Sequence, residues 1–394
     1  METQFQQEPK VSFFQTTTAK MMMVGILTII LIIPLALVQE LIVERSQRQK
    51  EVITETTSKW GNSVYFYGPI LKVPYKDPIS GASNYAYFFP EELNNKTEVT
   101  MEKPLERSIY KSNVFSTKMQ FNGKYTKPNF ASKGIPDENI YWNRAKIMIR
   151  TTNLKSLKDE VKMKLGNQNL TFESVASNTN DSIESLETNY FDYRTIQDNS
   201  KFDFTIAFNG SKQIKIVPIG KTTAAKMTSN WGSPNFNGNF SPITRDIKTD
   251  SFEATWKVLH FNRPFAQQYY DALPELGKYS FAVDFITPVD EYQQNERASK
   301  YGFLVIGLTF LIFFLIQSIS KINIHIFQYS MIGIALIMFY TLLISITEHS
   351  SFSFAYLISG VSVIALISLY SISILKDRKF PMFIAMSLSV LYTF

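Results

Sequence analysis

Apolar and polar positions divide the 394-residue chain into three stretches. Residues 21–38 are almost continuously apolar, interrupted only by Gly25, Thr28 and Pro34. About eighteen residues at a rise of 1.5 Å suffice to cross a hydrocarbon core roughly 30 Å thick. A cleaved signal peptide is the rival reading. The run exceeds the usual apolar region of such a peptide, and Gln39-Glu40 and Ile42-Val43-Glu44-Arg45 follow in place of a small-x-small cleavage site. It reads as an uncleaved anchor. Apolar runs return at 302–319, 327–346 and 354–375, each long enough to span. A fifth, 380–394, is short for a span and predicts a chain that stops inside a helix of a longer sequence.

The polar middle alternates with a period of two. Phe202, Phe204, Ile206 and Phe208 are separated by Asp203, Thr205 and Ala207, the pattern of a half-buried strand. Asn209-Gly210 and Asn122-Gly123 follow such runs and predict hairpin turns, because both residue types tolerate positive φ. Further strands are expected at 63–67, 70–75, 85–89, 146–151, 170–174, 252–259 and 279–285. Residues 41–59 should continue the first span as a polar helix, and 263–270 should form a short helical turn. The predicted fold is that of a membrane protein. One transmembrane helix (21–38) follows a cytoplasmic start (1–20). A mainly antiparallel, sandwich-like β domain occupies 39–300 outside the cytoplasm, and transmembrane helices 2–5 occupy 301–394.

Loop charges orient this layout. Lys376, Arg378 and Lys379 in one short turn belong on the cytoplasmic side. Counting back, Lys321 is cytoplasmic, Glu348-His349 is outside, and Lys10 and Lys20 are inside. Residues 39–300 then face a bacterial periplasm or its equivalent. The net charge of +6 is spread too thinly to mark a nucleic-acid surface. The absence of cysteine excludes disulfides, thiolate metal sites and a Cys nucleophile. Only His260, His325 and His349 are available to a His-based metal centre, and they are far apart in sequence. Neither phosphate-cradling glycine motif nor a Gly-x-Ser-x-Gly elbow is present. No cofactor and no metal are expected.

Two groups of residues remain as candidates. Glu348 and His349, at the end of the third span, can carry a proton, hold a headgroup or pair with another helix. His325 and Gln328 lie at that span's other end, roughly 35 Å away along the helix, so the two histidines cannot share one site. The alternative is that these residues only anchor helix ends. The second group is the loop containing Trp231, Phe236, Phe240 and Arg245, which either presents aromatic anchors to a ligand or fills the sandwich core. The carboxylates Asp284, Asp290, Glu291 and Glu296, near Arg297 and Lys300, read mainly as solvated charges near the membrane surface.

Several stretches resemble the CreD family of bacterial inner-membrane proteins. They include Ile42-Val43-Glu44-Arg45, Tyr67-Gly68-Pro69-Ile70-Leu71-Lys72-Val73-Pro74 and Tyr87-Phe88-Phe89-Pro90-Glu91-Glu92-Leu93. The most specific is Met227-Thr228-Ser229-Asn230-Trp231, continuing through Gly238-Asn239-Phe240 to Arg245 and on to Phe252-Glu253-Ala254-Thr255-Trp256. Val283 to Tyr292, Gln328-Tyr329, Gly333 and Glu348-His349 complete the series in order along nearly the whole chain. Members of that family continue through further apolar spans, and this chain ends at Phe394. The resemblance implies a role in cell-envelope integrity and tolerance of agents such as β-lactams or colicins, without an established reaction. The bilayer is the expected partner, with an envelope protein or polymer as ligand of the outer domain. A membrane-embedded activity (transport, lipid handling or insertase-like) through Glu348-His349, and an enzyme acting on envelope polymer, are the alternatives.

Overall fold

The computed structural model describes residues 16–175, 183–196, 200–285, 291–320, 322, 324–375 and 379–393. Lys10, Lys321, positions 376–378 of the basic turn and 286–290 of the approach to the second span lie outside the described residues. The chain forms two compact units. One is Val52–Pro288; the other combines Met1–Glu51 with Val289–Phe394.

The helical unit contains α1 (Thr17–Trp60, its last turns belonging to the other unit), α2 (Glu291–Lys300), α3 (Gly302–Ser320), α4 (Ile326–Thr347), α5 (Phe352–Leu375) and α6 (Lys379–Thr393). Helices α1, α3, α4 and α5 are long and apolar enough to cross a membrane, and α6 is a shorter apolar helix. In hydrocarbon a helix is the one open-ended element that pairs its own backbone groups, so apolar runs of this length become helices. Leu31 and Leu35 of α1 pack with Phe310, Phe313, Leu336, Phe339 and Tyr340 in one buried cluster. Gly302 and Gly333 make room for it, since a Cβ on either would press into Leu35 or Leu31.

The second unit is built of strands: β1 (Val64–Lys76), β2 (Ser83–Phe88), β3 (Glu92–Met101), β4 (Leu105–Arg107), β5 (Tyr110–Ser112) and β6 (Val114–Lys124). Next come β7 (Lys146–Thr151), β8 (Lys162–Leu165), β9 (Gln168–Val175), β10 (Glu184–Thr188), β11 (Lys201–Ser211) and β12 (Gln213–Ile216). Last are β13 (Thr222–Ser229), β14 (Asn235–Gly238), β15 (Thr244–Ile247), β16 (Phe252–Leu259), β17 (Gln268–Tyr270) and β18 (Phe281–Asp284). One hydrogen-bonded path runs β14-β18-β12-β1-β7-β10-β9-β8-β11-β6-β3-β13-β16-β15, with β2 and β17 continuing from β1. Its pairs are antiparallel except β1 with β12 and β3 with β13. The path folds at β9, and the two halves face each other through their rings. Phe66 of β1 stacks on Phe121 of β6 at 4.2 Å, and Trp256 of β16 on Phe281 of β18 at 4.9 Å. This is a sandwich closed around an aromatic core.

Both expected Asn-Gly hairpins are corrected. Strand β6 runs straight through Asn122-Gly123, and β11 through Asn209-Gly210. These glycines serve close packing: a Cβ at Gly123 would strike the Glu92 carbonyl, and one at Gly210 the Phe115 ring. The chain changes direction at Lys212, with φ 66°, and β12 joins the other half of the sandwich. The helical turn expected at 263–270 is corrected too, because β17 occupies its end. The buried Arg263 guanidinium donates to the carbonyls of Phe265, Ile219 and Gly220 at 2.9–3.3 Å. Gln267 donates to Pro90 at 2.7 Å. Those bonds hold the segment against the turns that precede β3 and β13.

Candidate functional site

In the helical unit the four candidate residues separate into two pairs with different work. His325 is the N-cap of α4. Its Nδ1 accepts from the Phe327 N–H at 3.2 Å, while the Gln328 Oε1 accepts from the His325 N–H at 2.8 Å. This reciprocal box satisfies two amides that the first turn leaves without partners. At the far end, Glu348 caps α4, and its Oε1 lies 3.7 Å from Nη1 of Arg45 on α1. The Glu348 side chain is largely covered (18% exposed) and Arg45 is half open (48%). His349 follows as an exposed residue. Ile42, one turn before Arg45, is buried, and Gln39 donates to the Ser299 carbonyl at 2.8 Å. The sequence from Gln39 to Arg45 therefore docks α1 against α2 and the end of α4. Arg45 is the partner that sequence reasoning did not assign to Glu348. Deeper in the bundle the Tyr329 hydroxyl donates to Gln317 at 3.2 Å, both residues being buried.

In the β unit the loop after β13 crosses from one end of the hydrogen-bonded path to the other, because β14 lies on β18 and β15 on β16. Its aromatics turn inward. Phe236 meets Phe252 and Trp256 edge-on at 5.8 and 5.9 Å, the Phe240 carbonyl accepts from the Trp256 indole at 3.2 Å, and Trp231 donates to the Ser233 carbonyl at 2.9 Å. All three rings are partly buried against the core. Asp284 clasps the same loop: it is buried and accepts from Gln213, from Asn235 at 2.8 Å and from Asn237 at 3.4 Å. It thus leaves the surface group of carboxylates in which the sequence placed it. Arg245 is exposed on β15.

Beside this loop lies an open groove of about 460 Å³, where β3 and β13 end and β16 begins. Glu98, Ser229, Asn230, Asp246, Lys248 and Glu253 are among its lining residues. Asn230 fixes its floor by accepting from the Met101 N–H at 2.6 Å. The Ser229 hydroxyl itself is buried and has no hydrogen-bond partner among the described residues. Each carboxylate is matched by a lysine: Glu98 with Lys96 and Glu253 with Lys226 at 2.7 Å, and Asp246 with Lys248 at 3.9 Å. The hydrogen bond and charge of Lys96 hold the Glu98 carboxyl below its usual range. Such a lining offers hydrogen bonds and paired charges to a polar ligand. The signal in sequence is the block 227–231 itself, of which Ser229 and Asn230 line the groove.

Comparison with known proteins places these features. Over 381 residues the chain is 24% identical to the inner membrane protein CreD of Escherichia coli (strain K12), covering 92% of this chain and 82% of that one. Among solved structures, an M1 zinc metallopeptidase from Deinococcus radiodurans aligns over 50% of this chain and 42% of its own, at 9% identity and a TM-score of 0.21. That likeness is too slight to bear on fold or activity. The family described as inner membrane protein CreD matches residues 16–394. From the anchor helix to the last apolar helix, the chain belongs to the CreD family of inner membrane proteins.

Proposed function

We propose that this protein supports cell-envelope integrity and stress tolerance, with its β domain acting as a binding module and its helices as the anchor in the bilayer. The observation that carries the reading is the groove where β3 and β13 end and β16 begins, whose lining of Glu98, Asn230, Asp246, Lys248 and Glu253 offers hydrogen bonds and paired charges to a polar ligand. The occupant is an envelope protein or polymer. The test is rescue of a strain lacking the protein under detergent and β-lactam challenge. Ser251→Trp, which fills the groove from an adjoining turn, abolishes rescue at unchanged membrane abundance. Full rescue by that variant removes the groove from the function.

The sidedness follows from charge: the N-terminus and the basic turn before α6 are cytoplasmic, and residues 39–300 are periplasmic. The chain has no cysteine, so single substitutions report cleanly. Ile79→Cys, at a turn where Ile79 is 96% exposed, reacts with a membrane-impermeant maleimide in spheroplasts, and Lys379→Cys reacts only after lysis. The reverse pattern inverts the topology. A second reading, a membrane-embedded activity (transport, lipid handling or insertase-like) at Glu348-His349, draws support from the largely covered Glu348 carboxylate beside Arg45. It requires Glu348→Gln or His349→Ala to abolish rescue while Ser251→Trp does not.

A further inference from the structure

The opposite half of the sandwich carries a different chemistry. Register places Lys72 of β1 directly across from Lys146 of β7, with Tyr87 of β2 on its other side. Like charges on facing positions of a sheet repel. A single carboxylate answers both: Glu187 of β10 accepts from Lys72 at 2.6 Å through Oε1 and from Lys146 at 3.0 Å through Oε2. Glu187 is 8% exposed, so this bridge is built into the sheet rather than laid on it. Because both ammoniums reach the same carboxylate, they are close enough to hold one further anionic group between them.

Three cations (Lys72, Lys146, Arg150) stand beside three carboxylates, but Glu275, which pairs with Arg150, and Glu173 of β9, which lies opposite Glu187 in register, are both exposed. The two lysines share Glu187 as their buried carboxylate, and one ammonium would already satisfy it. Each ammonium carries three N–H donors and spends one on Glu187. Aromatic walls complete the arrangement. The Tyr85 ring stands 4.3 Å from the Lys72 ammonium and the Tyr190 ring 4.6 Å from that of Lys146. These rings are 41% and 60% exposed.

We propose that the Lys72–Lys146 pair, walled by Tyr85 and Tyr190, binds the carboxylate or phosphate of an acidic saccharide. Two observations select a sugar. Strands β1, β7 and β10 are each paired on both sides, so no free backbone edge is offered to an extended peptide. The apolar surface beside the lysines consists of tyrosine rings, which suit the C–H faces and hydroxyls of a sugar better than an acyl chain. The site is in the other half of the sandwich from the groove and stands independently of it.

The experiment titrates the purified full-length protein in detergent, by calorimetry, with trigalacturonate, glucose 1-phosphate, maltotriose, inorganic phosphate, polyglutamate and phosphatidylglycerol vesicles. Trigalacturonate or glucose 1-phosphate binds about tenfold or more tightly than maltotriose, and binding weakens as salt rises. Lys72→Gln and Lys146→Gln each cost about tenfold, and Lys72→Arg, which keeps the charge, restores binding. Tyr85→Ala and Tyr190→Ala weaken the sugar anions and leave inorganic phosphate unchanged. Binding of maltotriose as tight as the acidic sugars overturns the proposal, as does wild-type affinity in both lysine variants. A preference for inorganic phosphate, polyglutamate or the vesicles also overturns it. Ser251→Trp leaves trigalacturonate binding intact, so failure here and failure of the groove are separate results.

Discussion

Phe236→Ala distinguishes a packing residue from a ligand anchor in the loop after β13. Complete burial of a phenylalanine is worth about 3–5 kcal/mol against alanine. Phe236 is only partly buried, which brings the figure to about half, and its two edge-on contacts with Phe252 and Trp256 add a fraction more. The expected loss is about 2–3 kcal/mol. For a unit the size of Val52–Pro288, that lowers the melting temperature by roughly 4–12 °C. The assay is unusually clean, because the chain's four tryptophans, Trp60, Trp142, Trp231 and Trp256, all fall within that unit. Tryptophan fluorescence of the full-length protein in detergent therefore follows the β domain alone. A melting temperature within about 1 °C of wild type, together with lost rescue in cells, would refute the packing assignment and make Phe236 an anchor.

Three further outcomes are expected. Arg45→Ala and Glu348→Gln each destabilise the helical unit by no more than about 1 kcal/mol, since Arg45 is half exposed and solvent screens the pair. Their effects overlap in a double-mutant cycle, and strictly additive losses would show that the two do not interact. His325→Ala costs about 1 kcal/mol of capping and speeds hydrogen exchange over 326–330, whereas His325→Asn keeps exchange slow. For Glu187, burial raises the carboxyl pKa, but the hydrogen bonds and charges of Lys72 and Lys146 outweigh it and hold the group below its usual value of 4.5. Its contribution to stability is therefore present above pH 4.5 and fades as pH falls through the depressed value. Glu187→Gln should be less stable than wild type at neutral pH and converge with it in acid, as read by urea titration. Equal stability of the two proteins at pH 7 contradicts this.

The chain displayed its membrane helices openly, because a run such as 327–346 needs only its own composition to become α4. Strands rich in apolar side chains, such as Lys146–Thr151 and Phe252–Leu259, were equally plain. Strands β3 and β13 were not, since their inward positions carry Asn95, Thr97, Thr223 and Ala225 instead of large apolar side chains. Asn95 and Thr97 satisfy each other inside the sandwich at 2.8 Å, a compensation invisible to any periodicity. Asn-Gly misled for a related reason: the need for glycine arose from Phe115 and Glu92, distant in sequence. At the candidate sites, residue type identified Glu348 and the block around Ser229. Their partners come from far along the chain, Arg45 on α1 for Glu348, and no local pattern carries that information.

The position of β1 in the middle of its layer has a consequence for biogenesis. Val64 pairs with Ile214, 150 positions later, and β12 in turn needs β18, which ends at Asp284. At about 5–20 residues per second, the ribosome takes roughly ten seconds or more to supply β12 after β1 has emerged. Throughout that interval Phe66, joined in turn by Phe115 and Phe121, lacks part of its enclosure, since Phe204 and the strands that follow it are made last. A layer completed only by its last strands is also slow to nucleate, since closure of long loops precedes any gain from pairing. The nascent β unit is thus a natural client for a chaperone, held meanwhile at the membrane by the anchor helix that was made first.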